Sequence, residues 1–357
     1  MTHARLVRDI IGAMKTSQTG LLAVLAALAI AGCGSSSSHS SAAAAQTSAT
    51  QTTSTESTAT LPPAVDQLAA AERPHAAAFP SAHGRSLQQL ATLARSSAQL
   101  GSATGTFTPG VRRVAFALTA SSGAFIYAPT ALYIAKSPSA PAQGPFLAPA
   151  DPMTVPPQYR GEQNSGPGGI KAIYAANVPV PDPGSYTTLA LTRTPTGVIG
   201  APGEIAVAAS SPIPDVGQRP PDIATDTPAS VHGDLALLTT RTPPDDMHAV
   251  SFNQVLGKRP AALLFSTPQL CISRVCGPVT DLAVELEPQF RGRITFIHEE
   301  VYVGNQPSKG LRPQLKAFHL ETEPWLFMVN RHGIITARLE GSFGVNELRR
   351  ALETALQ

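Results

Sequence analysis

Two of the three cysteines in this 357-residue chain are close enough in sequence to act as a pair: Cys271 and Cys276 are separated by four residues. They lie between the apolar run Ala261–Phe265 and a segment of helical spacing that begins at Pro278. Thiolate is the nucleophilic form of cysteine, and the partial positive charge at a helix amino terminus stabilises a nearby thiolate. One thiolate of such a pair attacks a partner, and the other resolves the mixed disulfide. The pair therefore predicts thiol–disulfide exchange, with Cys271 and Cys276 as catalytic residues.

The sequence leaves two questions about this pair open. Cys276 is closer to the predicted helix terminus, whereas Cys271 reaches it from the loop, and Arg274 is the only positive residue between them. The identity of the nucleophile is therefore not fixed. A structural disulfide is the alternative to a reactive pair, since closing this ring would contribute about 2 kcal/mol through chain entropy and an exported protein would keep it oxidised. In that case the chain is a non-catalytic binding or scaffold protein.

Hydrophobic spacing predicts the elements that hold the pair, over residues 248–357. The run Ala261–Phe265 is typical of a strand buried on both faces, and a helix is predicted from Pro278 that stops a little before Phe290 because of Pro288. The remaining predicted elements are a strand over 294–303, a helix over 311–318, strands over 325–329 and 334–339, and a closing amphipathic helix from Val345. The order β-α-β-α-β-β-α predicts an α/β layer structure.

The position of the cysteines in this order of elements resembles the thioredoxin superfamily, especially its membrane-tethered extracytoplasmic members. Family thiols lie at the junction of strand and helix, opposite a cis-proline loop that contacts the substrate peptide. The segment Lys316–Val329 is similar to the family's sequence around that proline. The resemblance implies that Pro324 is the cis-proline and that Glu323, Pro324 and Trp325 bind substrate. The chain departs from the family in having four residues, and not two, between its cysteines.

Two related families offer other functions for the same residues. Ser273-Arg-Val-Cys276 has the hydroxyl-x-x-Cys spacing of peroxiredoxins, which would make Cys276 a peroxide-reducing thiolate resolved by Cys271. Copper-delivery proteins of cytochrome oxidase assembly also pair a cysteine loop with a distant histidine, for which His298 and His319 are the candidates, since copper(I) prefers thiolate and imidazole ligands. The sequence contains no phosphate-binding loop, zinc spacing or Ser/His/Asp arrangement. We predict no cofactor and no resident metal, and interpret Glu299 and Glu300 as solvated charges.

The amino-terminal residues 1–32 have the pattern of an export signal. A positive segment precedes the apolar run Leu21–Ile30, which is too short to span a bilayer. The sequence Ile30-Ala-Gly-Cys33 resembles the lipobox of bacterial lipoproteins, which implies cleavage before Cys33 and lipidation of its thiol. The resemblance implies an extracytoplasmic protein anchored to the cell membrane, the alternatives being cleavage with an unmodified Cys33 or an uncleaved anchor.

Composition divides the chain between this signal and the cysteine domain. Residues 33–84 are a low-complexity tether rich in Ser, Thr and Ala, and 85–101 are predicted to form one helix that begins with a Ser86–Gln89 capping box. Short alternating runs over 105–210 predict a β-sandwich. Within them, Asp182-Pro-Gly-Ser-Tyr186 resembles the tyrosine corner of immunoglobulin-like domains, which implies an immunoglobulin-like sandwich. Residues 211–247 form a Pro-rich linker.

The charge balance excludes one class of partner. A formal net charge of +2 gives no basic field of the kind that binds a phosphate backbone, so we predict no nucleic-acid partner. The expected partners are the membrane, through the lipid on Cys33, and the thiols or disulfides of exported proteins.

Overall fold

The computed structural model describes residues 66–164 and 169–357. The predicted export signal, Cys33 and most of the predicted tether lie outside the described residues. Among the residues described, no helix combines the length and apolar character needed to cross a bilayer.

The first described elements differ from the single helix predicted over 85–101. A short helix α1 (Leu68–Ala71) is followed by α2 (Leu87–Ala91), which begins with the predicted capping box. The chain then leaves the helix and forms β1 (Ser96–Ser97) and β2 (Gln99–Ser102), each hydrogen-bonded to a strand of the sandwich. The prediction was wrong after residue 91, because sheet pairing that involves residues far along the chain replaces the helical hydrogen bonds.

Two β-sheets enclose a common core over residues 96–207. The remaining strands are β3 (Gly110–Thr119), β4 (Thr130–Ala135), β5 (Gln143–Leu147), β6 (Ala150–Pro152), β7 (Ala172–Val180), β8 (Gly184–Thr194) and β9 (Gly197–Val207). One sheet has the order β1-β9-β8-β4-β5 and the other the order β2-β3-β7-β6. Phe116 and Tyr174 from the second sheet share a core cluster with Leu132 and Ala190 from the first. The alternating apolar residues of the strands therefore face one another between the sheets.

Tyr186 ties one corner of this sandwich, as the D-x-G-x-Y segment predicted. Its hydroxyl donates to the carbonyl of Asp182 at 2.9 Å and accepts the N–H of the same residue at 3.2 Å. Its role is structural.

The cysteine domain contains a four-stranded sheet with helices in the predicted order. A short helix α3 (Phe252–Val255) leads into β10 (Ala261–Phe265), α4 (Cys276–Phe290), β11 (Thr295–Glu299), α5 (Pro313–Ala317), β12 (Trp325–Val329), β13 (Ile335–Glu340) and α6 (Val345–Thr354). The strand order is β11-β10-β12-β13, with β10 parallel to β11 and antiparallel to β12. All five residues of β10 are buried, so the loop that carries the cysteines leaves the centre of the sheet.

Helix α4 differs from its prediction at both ends. It begins at Cys276, two residues before Pro278, and it continues through Pro288 to Phe290. The ring of Pro288 removes one helical hydrogen bond, but Phe290 is buried in the core shared with the sandwich. Packing of Phe290 therefore keeps the last turn helical.

The sandwich and the cysteine domain pack directly against each other. Ala115 and Ile173 of the sandwich lie in the same apolar cluster as Leu282 of α4. The guanidinium of Arg113 donates to both carboxylate oxygens of Glu347 at 2.7 Å each. This bidentate pair and the shared core join the two domains.

The Pro-rich segment 211–247 lies against both domains. Asp215 pairs with Arg112 of the sandwich at 2.9 Å, and Arg241 pairs with Asp281 of α4 at 2.8 Å. Near the end of the segment, the side chain of Asp245 is buried against His298 of β11.

Candidate active site

The two cysteines meet at the amino terminus of α4. Cys276 is the first residue of the helix, and Cys271 lies in the loop between β10 and α4. Both are free thiols, and one donor atom from each, together with a carboxylate oxygen of Glu323, lies within 4.8 Å of the others. The peptide bond between Glu323 and Pro324 is cis, as the resemblance implied. The chain therefore brings Cys271, Cys276 and Glu323 together at one site.

The two thiols differ in access to solvent. Cys271 retains 7% of its surface, whereas Cys276 is fully buried. Ile272, next to Cys271, is 95% exposed and forms the tip of the loop. Both cysteines are buried, and Cys271 is the less screened of the two.

Hydrogen bonds hold the pKa of Cys271 far below its ordinary value. The Cys276 thiol is the largest contributor, and the Ser273 hydroxyl, 3.1 Å from Cys271 Sγ, and the backbone N–H groups of Val275 and Cys276 add to it. They outweigh burial and lower the pKa of Cys271 from 9.0 to about 5. Each donor stabilises the charged form, so the environment of Cys271 favours its thiolate.

The environment of Cys276 acts in the opposite direction. Burial raises the pKa of the Cys276 thiol well above its ordinary value, and the neighbouring Cys271 thiolate raises it further. Its proton is shared with Cys271, which means that the two sulfurs titrate as a pair. The sequence placed Cys276 closer to the helix terminus, but the thiolate is on Cys271, because the helix amides and Ser273 point at the loop sulfur.

Glu323 is an ionisable group beside the thiolate. Its carboxyl is half-buried, and burial together with the charge of Cys271 raises the pKa of Glu323 to about 7. A carboxyl with this pKa exchanges protons near neutrality. Glu323 is thus able to receive or supply a proton at the sulfur pair.

Trp325 does not line the site as predicted. Its side chain is 1% exposed and stacks on Phe327 with ring centroids 5.9 Å apart. The indole N–H donates to the Thr322 hydroxyl at 3.1 Å. As the first residue of a buried strand, Trp325 packs into the core, so the substrate-binding role predicted for it is wrong.

A cleft of about 780 Å³ opens between the cysteine loop and the sandwich. On one side it is lined by Ser273 and Arg274 of the loop and by Glu323 beside the cis-proline. On the other side the wall is formed by the segment 101–105 and by Phe125. Both domains therefore line a cleft beside the cysteine loop, although neither Cys271 nor Cys276 is part of its wall.

A second cluster of ionisable groups is buried in the cysteine domain and is hydrogen-bonded, through Ser266 and Thr280, to the first turn of α4. Asp245, His248 and His298 are buried and bring donor atoms within 4.8 Å of one another. The carboxylate of Asp245 lies 3.0 Å from Nδ1 of His298 and 3.1 Å from Nε2 of His248. Sequence reasoning named His298 only as a candidate copper ligand and passed over Asp245 and His248. The only local indication of this cluster was the position of His298 within a run of apolar residues predicted to be a strand.

The acidic pair that follows His298 is also buried, contrary to its interpretation as solvated charge. Glu299 accepts from Arg312 at 2.8 Å, and Glu300 accepts from the N–H of Thr240 at 2.6 Å. Both carboxylates hold the Pro-rich segment or the following loop against the sheet, so their roles are structural.

Within the described part of the chain, two groups bring three donor atoms together, and only one of them contains sulfur. Among the described residues, Cys271, Cys276 and Glu323 form a three-donor group of the kind that could hold a thiophilic ion. Neither His298, which is bonded to Asp245, nor the exposed His319 belongs to that group. The oxygens of Asp245 already accept from Thr239 and from the backbone N–H of Met247, whereas the buried Nε2 of His248, although 3.1 Å from Asp245, has no hydrogen-bond partner among the described residues.

Comparison with known proteins gives structural likeness but no sequence match. No protein-family model matches the sequence, and no curated protein is similar to it. A solved structure titled as a thiol:disulfide interchange protein DsbE from Chlorobium tepidum aligns with 40% of this chain and 99% of its own, at 12% identity and a TM-score of 0.29. The chemistry of the site therefore rests on its own geometry.

Proposed function

We propose that this chain is a lipid-anchored, extracytoplasmic thiol–disulfide oxidoreductase that acts on exported proteins through Cys271 and Cys276. The observation that carries the proposal is the meeting of two free thiols at the amino terminus of α4, with the Ser273 hydroxyl 3.1 Å from Cys271 Sγ and Cys276 fully buried. This arrangement lowers the pKa of Cys271 and raises that of Cys276. In this proposal the cysteine domain is thioredoxin-like, and the element order and the cis bond before Pro324 support that assignment.

The proposed reaction begins at Cys271. Its thiolate attacks one sulfur of a partner disulfide, the partner's S–S bond breaks, and the leaving sulfur departs as a thiolate that takes a proton from solvent. Cys271 and the partner are then joined by a mixed disulfide. Cys271 is the attacking residue here because its environment favours the thiolate and its sulfur is the less screened of the two.

Cys276 completes the exchange. Once Cys271 is bonded to the partner it no longer carries the charge that raises the pKa of Cys276. The Cys276 thiol loses its proton to the adjacent Glu323 carboxylate, attacks Cys271 Sγ, and releases the partner's second thiolate, which is protonated. Two partner thiols and one Cys271–Cys276 disulfide result, and the reverse sequence oxidises a partner dithiol.

The partner class follows from the surface around Cys271. The cleft between the cysteine loop and the sandwich is open, and Ser273, Glu323 and Phe125 line it. A polypeptide segment is the proposed occupant, with Glu323 and Pro324 contacting its backbone and the sandwich, which we propose to be immunoglobulin-like, forming the opposite wall. The anchor on Cys33 and the part of the predicted tether before residue 66 would hold this cleft above the membrane; residues 68–84 of the predicted tether instead contain α1 and pack against the sandwich.

The peroxiredoxin alternative is less well supported by this geometry. The Ser273 hydroxyl contacts Cys271 and not Cys276, and Cys276 has no exposed surface through which a peroxide could approach. The scaffold alternative requires an inert disulfide, which the pKa of about 5 for Cys271 does not favour.

The test of exchange is capture of a partner. In the full anchored chain, Cys276→Ser removes the resolving sulfur and should accumulate mixed disulfides, whereas Cys271→Ser, the matched control, should accumulate none. The reduction potential of the wild-type pair should lie in the range of exchange proteins. A potential below about −300 mV, together with an empty Cys276→Ser trap, would establish the scaffold alternative.

The anchor is tested separately. Cys33→Ser should leave the cysteine pair unchanged and abolish fractionation with membranes. Membrane association that persists in Cys33→Ser would contradict lipid anchoring without affecting the exchange proposal.

A further inference from the structure

A continuous chain of hydrogen bonds connects the buried carboxylate of Asp245 to the first turn of α4. Asp245 Oδ2 lies 3.0 Å from His298 Nδ1, and His298 Nε2 lies 3.0 Å from the hydroxyl of Ser266. The Ser266 hydroxyl lies 2.7 Å from that of Thr280, which donates to the carbonyl of Cys276 at 2.8 Å. All members of the chain are buried.

The donors of this chain can be assigned by counting protons. A carbonyl oxygen only accepts, so the proton of Thr280 is committed to Cys276. The Ser266 hydroxyl must then donate to Thr280, which leaves it an acceptor toward Nε2 of His298. That nitrogen also lies 3.1 Å from the carbonyl oxygen of Ser266, which can only accept a hydrogen bond. Nε2 of His298 therefore carries a proton.

The other ring nitrogen is protonated as well. Nδ1 of His298 faces Asp245, and an ionised carboxylate only accepts. Burial alone would raise the pKa of Asp245, but the charge of His298 and the contacts with both imidazoles hold it well below its usual range. Burial opposes charging of His298, yet Asp245 raises the pKa of its imidazole to about 9. The ring is an imidazolium paired with a carboxylate.

The same imidazolium also holds the strand end that contacts both cysteines. Ser266, whose carbonyl accepts from Nε2 of His298, is followed by Thr267. The carbonyl of Thr267 accepts the N–H of Cys271 at 3.2 Å, and its own N–H is directed to the sulfur of Cys276. Two routes, through Thr280 and through Thr267, thus lead from His298 to the pair.

We propose that His298, fixed by Asp245, is a positioning residue that orients the Ser266 and Thr280 hydroxyls and stabilises the thiolate of the Cys271–Cys276 pair. Every dipole in the chain points its positive end toward Cys276, away from the cationic ring. A buried positive charge and aligned donors favour a nearby anion, because the low-dielectric interior screens them weakly. The inference deepens the proposed function, on which it rests for the catalytic meaning of the thiolate.

The decisive variant is Thr280→Val, which keeps the shape of the side chain and removes the hydroxyl that donates to the backbone carbonyl of Cys276. Thr280→Ser is the matched control, since it keeps that hydroxyl. In the reduced full-length protein, the rate of alkylation of Cys271 by iodoacetamide is measured against pH. Thr280→Val should raise the apparent pKa of Cys271 by about half a unit to one unit and slow alkylation at pH 5 by about two- to fivefold; Thr280→Ser should match the wild type.

The charge is tested by His298→Gln, whose amide can still donate to Ser266 but is neutral. It should slow alkylation at pH 5 at least as much as Thr280→Val does. If the buried Ser266 hydroxyl destabilises Thr280→Val by losing its acceptor, the double variant Ser266→Ala/Thr280→Val removes both partners and should show the same alkylation shift. The thermal unfolding transition of each reduced variant verifies that the alkylation rates are those of folded protein.

Two results would overturn the proposal. The first is that iodoacetamide alkylates Cys271 at the wild-type rate in both folded Thr280→Val and folded His298→Gln. The second is one tightly bound metal ion per chain whose removal alone shifts the Cys271 pKa, because a metal and not a proton would then lie between His298 and Asp245. Alkylation needs no partner protein, so it tests this proposal separately from exchange. If only the proposed exchange fails, Cys276→Ser captures no partner, but Thr280→Val and His298→Gln still slow alkylation of Cys271.

Discussion

The hydroxyl of Ser273 lies 3.1 Å from the sulfur of Cys271, two residues before it in the chain. Arg274, between Ser273 and the helix, has a left-handed backbone with φ of 57°, and this turn directs Ser273 back toward Cys271. The Ser273 hydroxyl and the backbone N–H groups of Val275 and Cys276 are therefore directed at the first sulfur. The extra length of the loop supplies a hydrogen-bond donor to Cys271.

Substitution of Ser273 should weaken the stabilisation of the Cys271 thiolate. Ser273→Ala removes one donor to the thiolate and should raise the pKa of Cys271 by about one unit, which slows iodoacetamide alkylation at pH 5 by about fivefold. Ser273→Thr retains a hydroxyl and serves as the control. An alkylation profile of Ser273→Ala that superimposes on the wild type would show that Ser273 does not stabilise the thiolate.

The low pKa of Cys271 also makes the stability of the reduced protein depend on pH. A group whose pKa is lowered by folding contributes stability that is complete above its unfolded pKa and lost as pH falls through its folded pKa. For Cys271 that window runs from 9.0 down to about 5. The difference in free energy of unfolding between reduced wild type and reduced Cys271→Ser should therefore shrink steadily from pH 9 to pH 5.

Chemical denaturation of both proteins at several pH values measures this difference. Groups that do not interact with Cys271 contribute equally to both proteins and cancel in the subtraction. The difference therefore reports Cys271 together with its coupling to Cys276 and Glu323. A difference that stays constant from pH 9 to pH 5 would mean that Cys271 has the same pKa in the folded and unfolded chain.

Ionisation of the Glu323 carboxyl should be detectable by comparing the alkylation rates of a charged and a neutral reagent. As pH rises through about 7 the carboxyl of Glu323 ionises beside Cys271, and its charge repels an anionic reagent. The ratio of iodoacetate to iodoacetamide rates should fall about threefold across that range in the wild type. In Glu323→Gln the ratio should not change with pH. Glu321→Gln, on the exposed side of the same loop, is the control and should keep the wild-type profile.

The sequence predicted those parts of the fold that depend on local periodicity. The buried run 261–265, the order of elements after it and the proline at the start of α5 all reflect spacing within a few residues. The resemblance to thioredoxins implied the cis bond before Pro324. These features could be predicted because each is encoded in one short segment.

Features that depend on distant residues could not be predicted in this way. The buried charge of His298 exists because Asp245, 53 positions earlier, lies against it. The helix predicted over 85–101 ends early because β1 pairs with β9, about 100 residues later along the chain. No pattern within either segment indicates its partner, so the second cluster and the early strands are visible only in the fold.

The contact between the two domains gives a further prediction at Gly341, which follows β13. This residue has φ of +67°, and a Cβ added to it would lie 1.7 Å from the backbone carbonyl oxygen of Ala103. Gly341→Ala must therefore displace the backbone of the sandwich as well as adopt a left-handed conformation. Gly123→Ala is a matched control, because Gly123 has φ of +81° with nothing within 4 Å of the added Cβ.

Left-handed strain alone costs about 1–2 kcal/mol, which is the expected loss of unfolding free energy in Gly123→Ala. Gly341→Ala should lose several kcal/mol, or should separate the domains and unfold in two steps, because a backbone oxygen cannot rotate away. Since Gly341 also lines the cleft beside Glu323, Gly341→Ala should slow exchange with protein partners while iodoacetamide still reaches Cys271 at the wild-type rate. Equal denaturation midpoints for Gly341→Ala and Gly123→Ala would contradict the close approach of the two domains at Ala103.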